Sequence, residues 1–287
     1  MSAEPWTLGR LLTWTTNFLK DKQADSPRLD AEVLLAHILG VQRIALYTRF
    51  DELAGDEVRN RYRQLVKQRV EGCPVAYLVG FKEFYNLRFN VTPAVLIPRP
   101  ETELLVLEAI RLAKPHPTPR IVDVGTGSGA VALTLAKHLP QARMTAIDLS
   151  AEALEVAKKN AEQLKLNSVR FLQGDLLQPV ANEKFDLVVS NPPYIDSEVV
   201  KQLPITVKNF EPNLALDGGP GGTTIIERLA GEAKAVLETG GHLLLEIGAD
   251  QGKSVPALLE QLGGYGPVTV LPDHAGLPRV VKAPRLS

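Results

Sequence analysis

Two short stretches of this chain carry residue types that chemistry can use. The first is Asp123-Val124-Gly125-Thr126-Gly127-Ser128-Gly129, where three glycines lie between an apolar run and a helix-like one. Glycines at such a turn let backbone N–H groups approach a bound group at the open N-terminus of the following helix. About twenty residues on, Asp148 ends the next apolar run, where a carboxylate can accept both hydroxyls of a ribose. A glycine loop with a downstream acid is the nucleotide-cofactor pattern of an open α/β sheet. The alternative, a plain strand–helix turn, leaves the acid unexplained. Gly125 through Ala130 also fits the dinucleotide fingerprint, so the loop alone does not separate NAD from S-adenosylmethionine. The second stretch is Asn191-Pro192-Pro193-Tyr194, at the exit of "DLVVS". Two prolines remove two donors and fix two φ angles, and they keep Asn191 out of the helical region. Pro-Pro is also ordinary loop punctuation. An amide before so stiff a loop and a phenol after it are less ordinary.

The surrounding pattern must position these residues. Residues 1–75 read as a helical domain: Leu8, Leu11, Leu12, Thr15 and Leu19 form one stripe, and Ser26, Pro27 and Gly40 punctuate a second helix. A third helix, about 56–71, sets Val58, Tyr62, Leu65, Val66 and Val70 against Arg59, Arg61, Arg63, Lys67 and Arg69. That basic face reads either as solvated surface or as a docking face. Residues 76–98 read as a β-hairpin linker, since Leu87, Phe89 and Val91 alternate with polar neighbours. A helix with acids in its first turn follows at 99–113. From 120 onward continuous apolar strands alternate with amphipathic helices, which means a doubly wound, mostly parallel sheet over 99–287. "VTVLPD" and "RVVKAP" have only a turn between them, so this last pair must be antiparallel.

Composition narrows the classes. The chain has 287 residues, 45% of them hydrophobic, and a net charge of −1, so it can build a sizeable core and shows no overall basic footprint for nucleic acid. One cysteine, Cys73, excludes an internal disulfide framework, and the five histidines lack ligand spacing, so no metal is expected. The N-terminal stretch lacks signal-peptide features and no run is long enough to span a bilayer. A cytoplasmic monomer without membrane contact is expected.

Asp123 before the loop, Gly174-Asp175 at the end of the third strand and the antiparallel close together resemble the class I S-adenosylmethionine-dependent methyltransferases, over about 99–287. Asp123 suits the cationic amino end of a methionine moiety, and Asp175 and Leu176 would edge an adenine. Within such a sheet Asn191 stands beside the reactive end of the cofactor. An amide nitrogen becomes nucleophilic when it pyramidalises, which two acceptors on its N–H groups favour. The Asn191 side-chain oxygen and the Pro192 carbonyl can be those acceptors, with Tyr194 packed on the flat substrate group.

This motif is shared by methyltransferases of adenine N6 and of glutamine amides. "LIPRPETE" (96–103), "NPPYI" and "EPNLALDGG" (211–219), with the helical domain, resemble the HemK-type glutamine methyltransferases of peptide-chain release factors over nearly the whole chain. The resemblance implies a seven-stranded fold and S-adenosylmethionine as cofactor. It implies methylation of the glutamine N5 in the Gly-Gly-Gln motif of a release factor, with an adenine-N6 activity on DNA or RNA as the alternative. Gly125, Thr126, Gly127, Ser128, Gly129, Asp148, Asp175, Leu176 and Asn191 would then hold cofactor. Asn191, Pro192, Pro193 and Tyr194 would hold the glutamine, with Asn191, Pro192 and Tyr194 serving catalysis. "GGPGG" (218–222) reads as a loop near the substrate entrance. No His or Cys lies in these motifs, so a rate nearly flat over about pH 6.5–8.5 is expected.

Overall fold

A computed structural model describes residues 5–286; residues 1–4, at the start of the expected helical domain, and residue 287 lie outside it. Internal contacts divide the chain into two units. One runs to Gly80 and takes in Ile205–Phe210, and the other holds Phe81–Pro204 and everything from Glu211 on. The first boundary lies beyond 75 because Val75–Val79 form a short helix, closed by Gly80 in the left-handed conformation. Ile205 and Phe210 join the first unit because Gly72 leaves room for them: a Cβ on it would come within 3.1 and 3.3 Å of their side chains.

In the first unit the long helices are Leu8–Asp21, Pro27–Leu39 and Asp56–Val70. The expected stripe of Leu8, Leu11, Leu12, Thr15 and Leu19 is buried. Ser26 occupies the N-cap position without a side-chain capping bond, and Gly40 closes the second helix at φ 65°. The basic face of the third helix is not an open cationic surface. Arg69 turns inward to Asp30 at 2.7 Å, with both side chains only 10% exposed. Arg59 pairs with Asp56, Arg61 with Glu57 and Lys67 with Glu71 along the same helix. Acids three or four residues away neutralise most of what the arginine spacing suggests.

In the second unit a hairpin, β1 (Phe81–Phe84) with β2 (Leu87–Asn90), is followed by a 3₁₀ turn at Pro100–Thr102 and the helix Glu103–Ala113. The hairpin belongs to this unit and is not a free linker: Phe84 and Phe89 are core residues. Then come β3 (Arg120–Val124), β4 (Arg143–Asp148), β5 (Arg170–Gln173), β6 (Phe185–Ser190), β7 (Leu237–Glu246), β8 (Thr269–Pro272) and β9 (Pro278–Pro284). They form one sheet in the order β5-β4-β3-β6-β7-β9-β8. The pairs from β5 to β7 are parallel, while β9 runs antiparallel to both β7 and β8. This is the expected seven-stranded, mostly parallel sheet with its antiparallel close.

Each central strand is apolar on both faces because helices cover both. Alternate residues feed two separate cores: Ile121, Val189 and Leu244 enter one, and Val122, Val188 and Leu243 enter the other. Chain order reverses between β3 and β6, and that switch point opens a crevice at the carboxyl ends of the strands. No helix among the described residues is long and apolar enough to cross a membrane.

Candidate active site

Strand register brings the candidate residues together. Val124 pairs with Ile147 on one side and Ser190 on the other, and Ser190 pairs with Leu245. The residues one step beyond are Gly125, Asp148, Asn191 and Glu246. Four neighbouring strand ends therefore deliver a glycine loop, an acid, an amide and a second acid to one edge. The Ser190 hydroxyl donates to the Val124 carbonyl at 2.6 Å and fastens the middle two ends.

A cavity of about 370 Å³ opens there, within the range of small-molecule sites. Gly125, Thr126, Gly127, Ser128, Asp148, Asp175, Leu176, Asn191 and Pro193 line it, as does Asp123. Gly127 has φ 55°, and its N–H donates to Asp148 Oδ2 at 2.8 Å. The other carboxylate oxygen accepts from Ser150 N–H at 2.9 Å. Asp148 thus shapes the loop as well as facing the cavity, and burial raises its pKa against these backbone bonds. Gly129 stands apart from the lining: a Cβ there would press on Leu133 and Ala157, so this glycine serves helix packing.

Asp123 is fully buried, accepting from the Thr126 hydroxyl at 2.7 Å and from Ala132 N–H at 3.1 Å. Burial pushes its pKa up to about 7, so an incoming cation would be stabilised by ionising it. Asp175 is committed to an ion pair with Arg228 at 2.6 Å, and Leu176 meets the cavity with a left-handed backbone, φ 50°. A nucleoside bearing a cationic amino-acid tail suits this donor set. Cβ atoms on Gly125 or Gly127 would meet nothing within 4 Å and would enter that space, so the loop keeps it clear for a ligand.

The loop after β6 is held from behind. Asn191 Nδ2 donates to Thr102 Oγ1 at 3.2 Å, which leaves its oxygen for the cavity. No hydrogen bond to the Pro192 carbonyl occurs among the described residues. Pro192 and Tyr194 do not line the cavity. The Tyr194 hydroxyl donates to Glu246 Oε1 at 3.3 Å, and burial pushes its pKa up to about 12. Its backbone carbonyl accepts from Gln251 Nε2 at 3.0 Å, and the same amide also serves Gly222. "GGPGG" backs the loop: a Cβ on Gly222 would collide with the Tyr194 carbonyl. "LIPRPETE" and "EPNLALDGG" meet as well, through Arg99 and Glu211 at 2.6 Å.

Thr102, Asn160, Glu246 and Gln251, which sequence reasoning did not single out, support the loops that border the cavity. Asn160 is wholly buried and ties the hairpin to the glycine loop, bonding Asn90 and the Ser128 carbonyl. A polar residue on the apolar side of a helical stripe was its only signal. For Glu246 the signal was an acid ending the apolar run "HLLLEIG".

Comparison with known proteins adds a further finding. Residues 10–80 match the PrmC N-terminal domain family, and residues 101–209 match the methyltransferase small domain family. The chain is 48% identical to a release factor glutamine methyltransferase of Rhodopirellula baltica over 285 residues, 96% of each chain. It is 45% identical to one of Moorella thermoacetica over 262 residues, 91% of this chain and 92% of that one. A crystal structure of a Pyrococcus furiosus methyltransferase shares the fold, with a TM-score of 0.52, 19% identity, and coverage of 79% of this chain and 99% of that one.

Proposed function

The chain belongs to the release factor glutamine methyltransferases, and on that footing we propose that it methylates the side-chain N5 of the glutamine in the Gly-Gly-Gln motif of a peptide-chain release factor. S-adenosylmethionine, when bound, supplies an electrophilic methyl group. The observation that supports this most is that Asn191 shares one cavity with Asp123, Gly127 and Asp148. Amide acceptor and cofactor-type residues are thereby within reach of one ligand pair.

Each residue then has a task. Asp123 receives the cationic amino end, the glycine loop gives close backbone approach, and Asp148 accepts from the ribose hydroxyls. The Asn191 oxygen accepts an amide N–H of the glutamine within the cavity and draws its nitrogen toward pyramidal geometry; the Pro192 carbonyl, outside the lining but without a protein donor among the described residues, is the second acceptor for a substrate that reaches past it. Pro-Pro keeps these acceptors in place beforehand, so little orientation entropy is lost at reaction. Tyr194 anchors the far end of the loop. The helical unit docks the release factor, and the protein works as a cytoplasmic monomer.

The test offers labelled S-adenosylmethionine separately to a release factor and to unmethylated DNA. Label on the release factor glutamine, located by mass spectrometry, is the expected result. Label on DNA instead would favour the adenine reading.

A further inference from the structure

The amino-acid end of S-adenosylmethionine is a zwitterion, and Asp123 answers only its ammonium. A carboxylate drawn out of water needs hydrogen-bond donors, and a cationic donor serves best. The lining of the cavity contains two cations, Arg99 and Arg228. Sheet order separates them. Asp175, Asp148, Asp123 and Asn191 stand at the ends of β5, β4, β3 and β6, which are successive neighbours in the sheet. With the roles proposed for these residues, that order runs from adenine through ribose to the amino-acid and methyl end. Arg228 pairs with Asp175 at 2.6 Å, on the adenine flank. Arg99 belongs to the other flank. Its carbonyl accepts from Thr102 N–H at 3.1 Å, and the Thr102 hydroxyl in turn holds the Asn191 amide.

Arg99 is also held in place. Its Nη2 donates to Glu211 Oε1 at 2.6 Å. The Glu211 side chain is only 2% exposed, and its other oxygen accepts from Ile97 N–H at 3.3 Å. The two segments that carry this ion pair both border the cavity, through Pro98 and Arg99 on one and Pro212 and Leu214 on the other. A guanidinium presents five N–H donors in a rigid fork. No hydrogen bond from Arg99 Nε or Nη1 occurs among the described residues, and the side chain is 34% exposed. One nitrogen is thus fixed by a buried acid, while the remaining donors are open to a second carboxylate.

We propose that Arg99 is a cofactor-binding residue that takes the carboxylate at the amino-acid end of S-adenosylmethionine. The proposal rests on the cofactor orientation given under the proposed function. Asp123 and Arg99 then offer opposite charges to the two charges of a zwitterion, and a ligand without the carboxylate satisfies only Asp123. The contact between "LIPRPETE" and "EPNLALDGG" gains a task as well: through Glu211 it keeps a cation at the cavity wall before any ligand arrives, so less side-chain entropy is lost on binding.

The experiment is calorimetry of the full-length protein, without release factor, using S-adenosylmethionine and its decarboxylated form. Wild type should bind the decarboxylated ligand more weakly, on the order of 10- to 100-fold, the scale of a lost charge-assisted hydrogen bond. Arg99→Met keeps the length and removes the donors. It should weaken S-adenosylmethionine binding by a similar factor and leave the decarboxylated ligand nearly unchanged, so that the preference disappears. Arg99→Lys keeps the charge and should restore part of the preference. Equal wild-type affinity for the two ligands would overturn the proposal without any variant. A preference that survives in Arg99→Met, or equal weakening of both ligands in Arg99→Met and Arg99→Lys, would overturn it too. Unchanged binding of both ligands in Arg99→Met, with a raised KM for release factor, would assign Arg99 to the protein substrate and overturn it as well. Because binding is read without release factor, failure of the substrate reading leaves these outcomes unaltered. A wild-type protein that binds neither ligand would refute the cofactor assignment and this proposal with it.

Discussion

Asn191→Ala separates chemistry from folding. The side chain is half-buried, and its one hydrogen bond among the described residues is that from Nδ2 to Thr102 Oγ1 at 3.2 Å. Losing a neutral bond of this kind costs about 0.5–1.5 kcal/mol of stability, too little to unfold a domain of ordinary stability. The kinetic cost should be larger. In the proposed function the oxygen left facing the cavity is one of two acceptors that would grip the substrate amide most strongly as it pyramidalises, and such interactions appear in kcat. Removing one preorganised hydrogen-bond partner of comparable kind costs on the order of 10²–10³ in rate, or roughly 2.7–4 kcal/mol. The assay is single-turnover methylation of a release factor at saturating cofactor, beside calorimetry of S-adenosylmethionine binding. The expected result is the rate loss with only a small change in affinity, since Asn191 forms one border of the cavity. A second variant, Asn191→Asp, keeps an oxygen toward the cavity but turns an acceptor toward Thr102, where the amide donated. It should also be slow. An alanine variant with a wild-type single-turnover rate would show that the Pro-Pro loop is only a stiff turn.

Asp148→Ala should weaken S-adenosylmethionine binding by roughly 1.5–3 kcal/mol, because it removes the ribose acceptors and releases Gly127 N–H; unchanged affinity by calorimetry would sink the assignment. Asp123→Asn should raise the melting temperature of the ligand-free protein at pH 8 while weakening cofactor binding. The sign follows from a folded pKa raised by burial to about 7: the folded state holds a proton the unfolded state has lost, so stability falls as pH rises from about 4 to about 7. A lower melting temperature for the variant at pH 8 would refute the argument. A chain beginning at Phe81 should bind cofactor and yet methylate intact release factor with much lower kcat/KM. Ile205–Phe210 would then have lost the unit they pack in, and equal kcat/KM would reject a docking role for the helical unit.

Local residue chemistry made much of this protein legible. The doubly wound sheet could be read from apolar runs alternating with amphipathic helices, because strands buried on both faces admit few polar residues. The antiparallel close followed from a connection too short to cross over. That the glycine loop and Asp148 would face one cavity was readable because a tight turn and an acid about twenty residues on follow a nearly fixed spacing in such sheets. Asn-Pro-Pro-Tyr was readable because proline rigidity is written in covalent structure.

The tertiary structure decided what depends on residues far apart in the chain. Gly129 falls within the glycine motif, yet only the packing of the helix beginning at Ala130 against Ala157 shows that it faces protein and not ligand. Arg69 looked like surface charge until Asp30, from a different helix, came within 2.7 Å. Ile205–Phe210 looked like part of the catalytic domain, and only the space above Gly72 shows where they pack. The support of the candidate catalytic loop is the plainest case. Thr102, Glu246 and Gln251 are each unremarkable in sequence: Glu246 and Gln251 meet Tyr194 because β6 and β7 pair in one register, and Thr102 reaches Asn191 from the turn ahead of the helix Glu103–Ala113. Residue types and short spacings are local properties, whereas burial, and the raised carboxyl pKa values that come with it, belong to the packed whole.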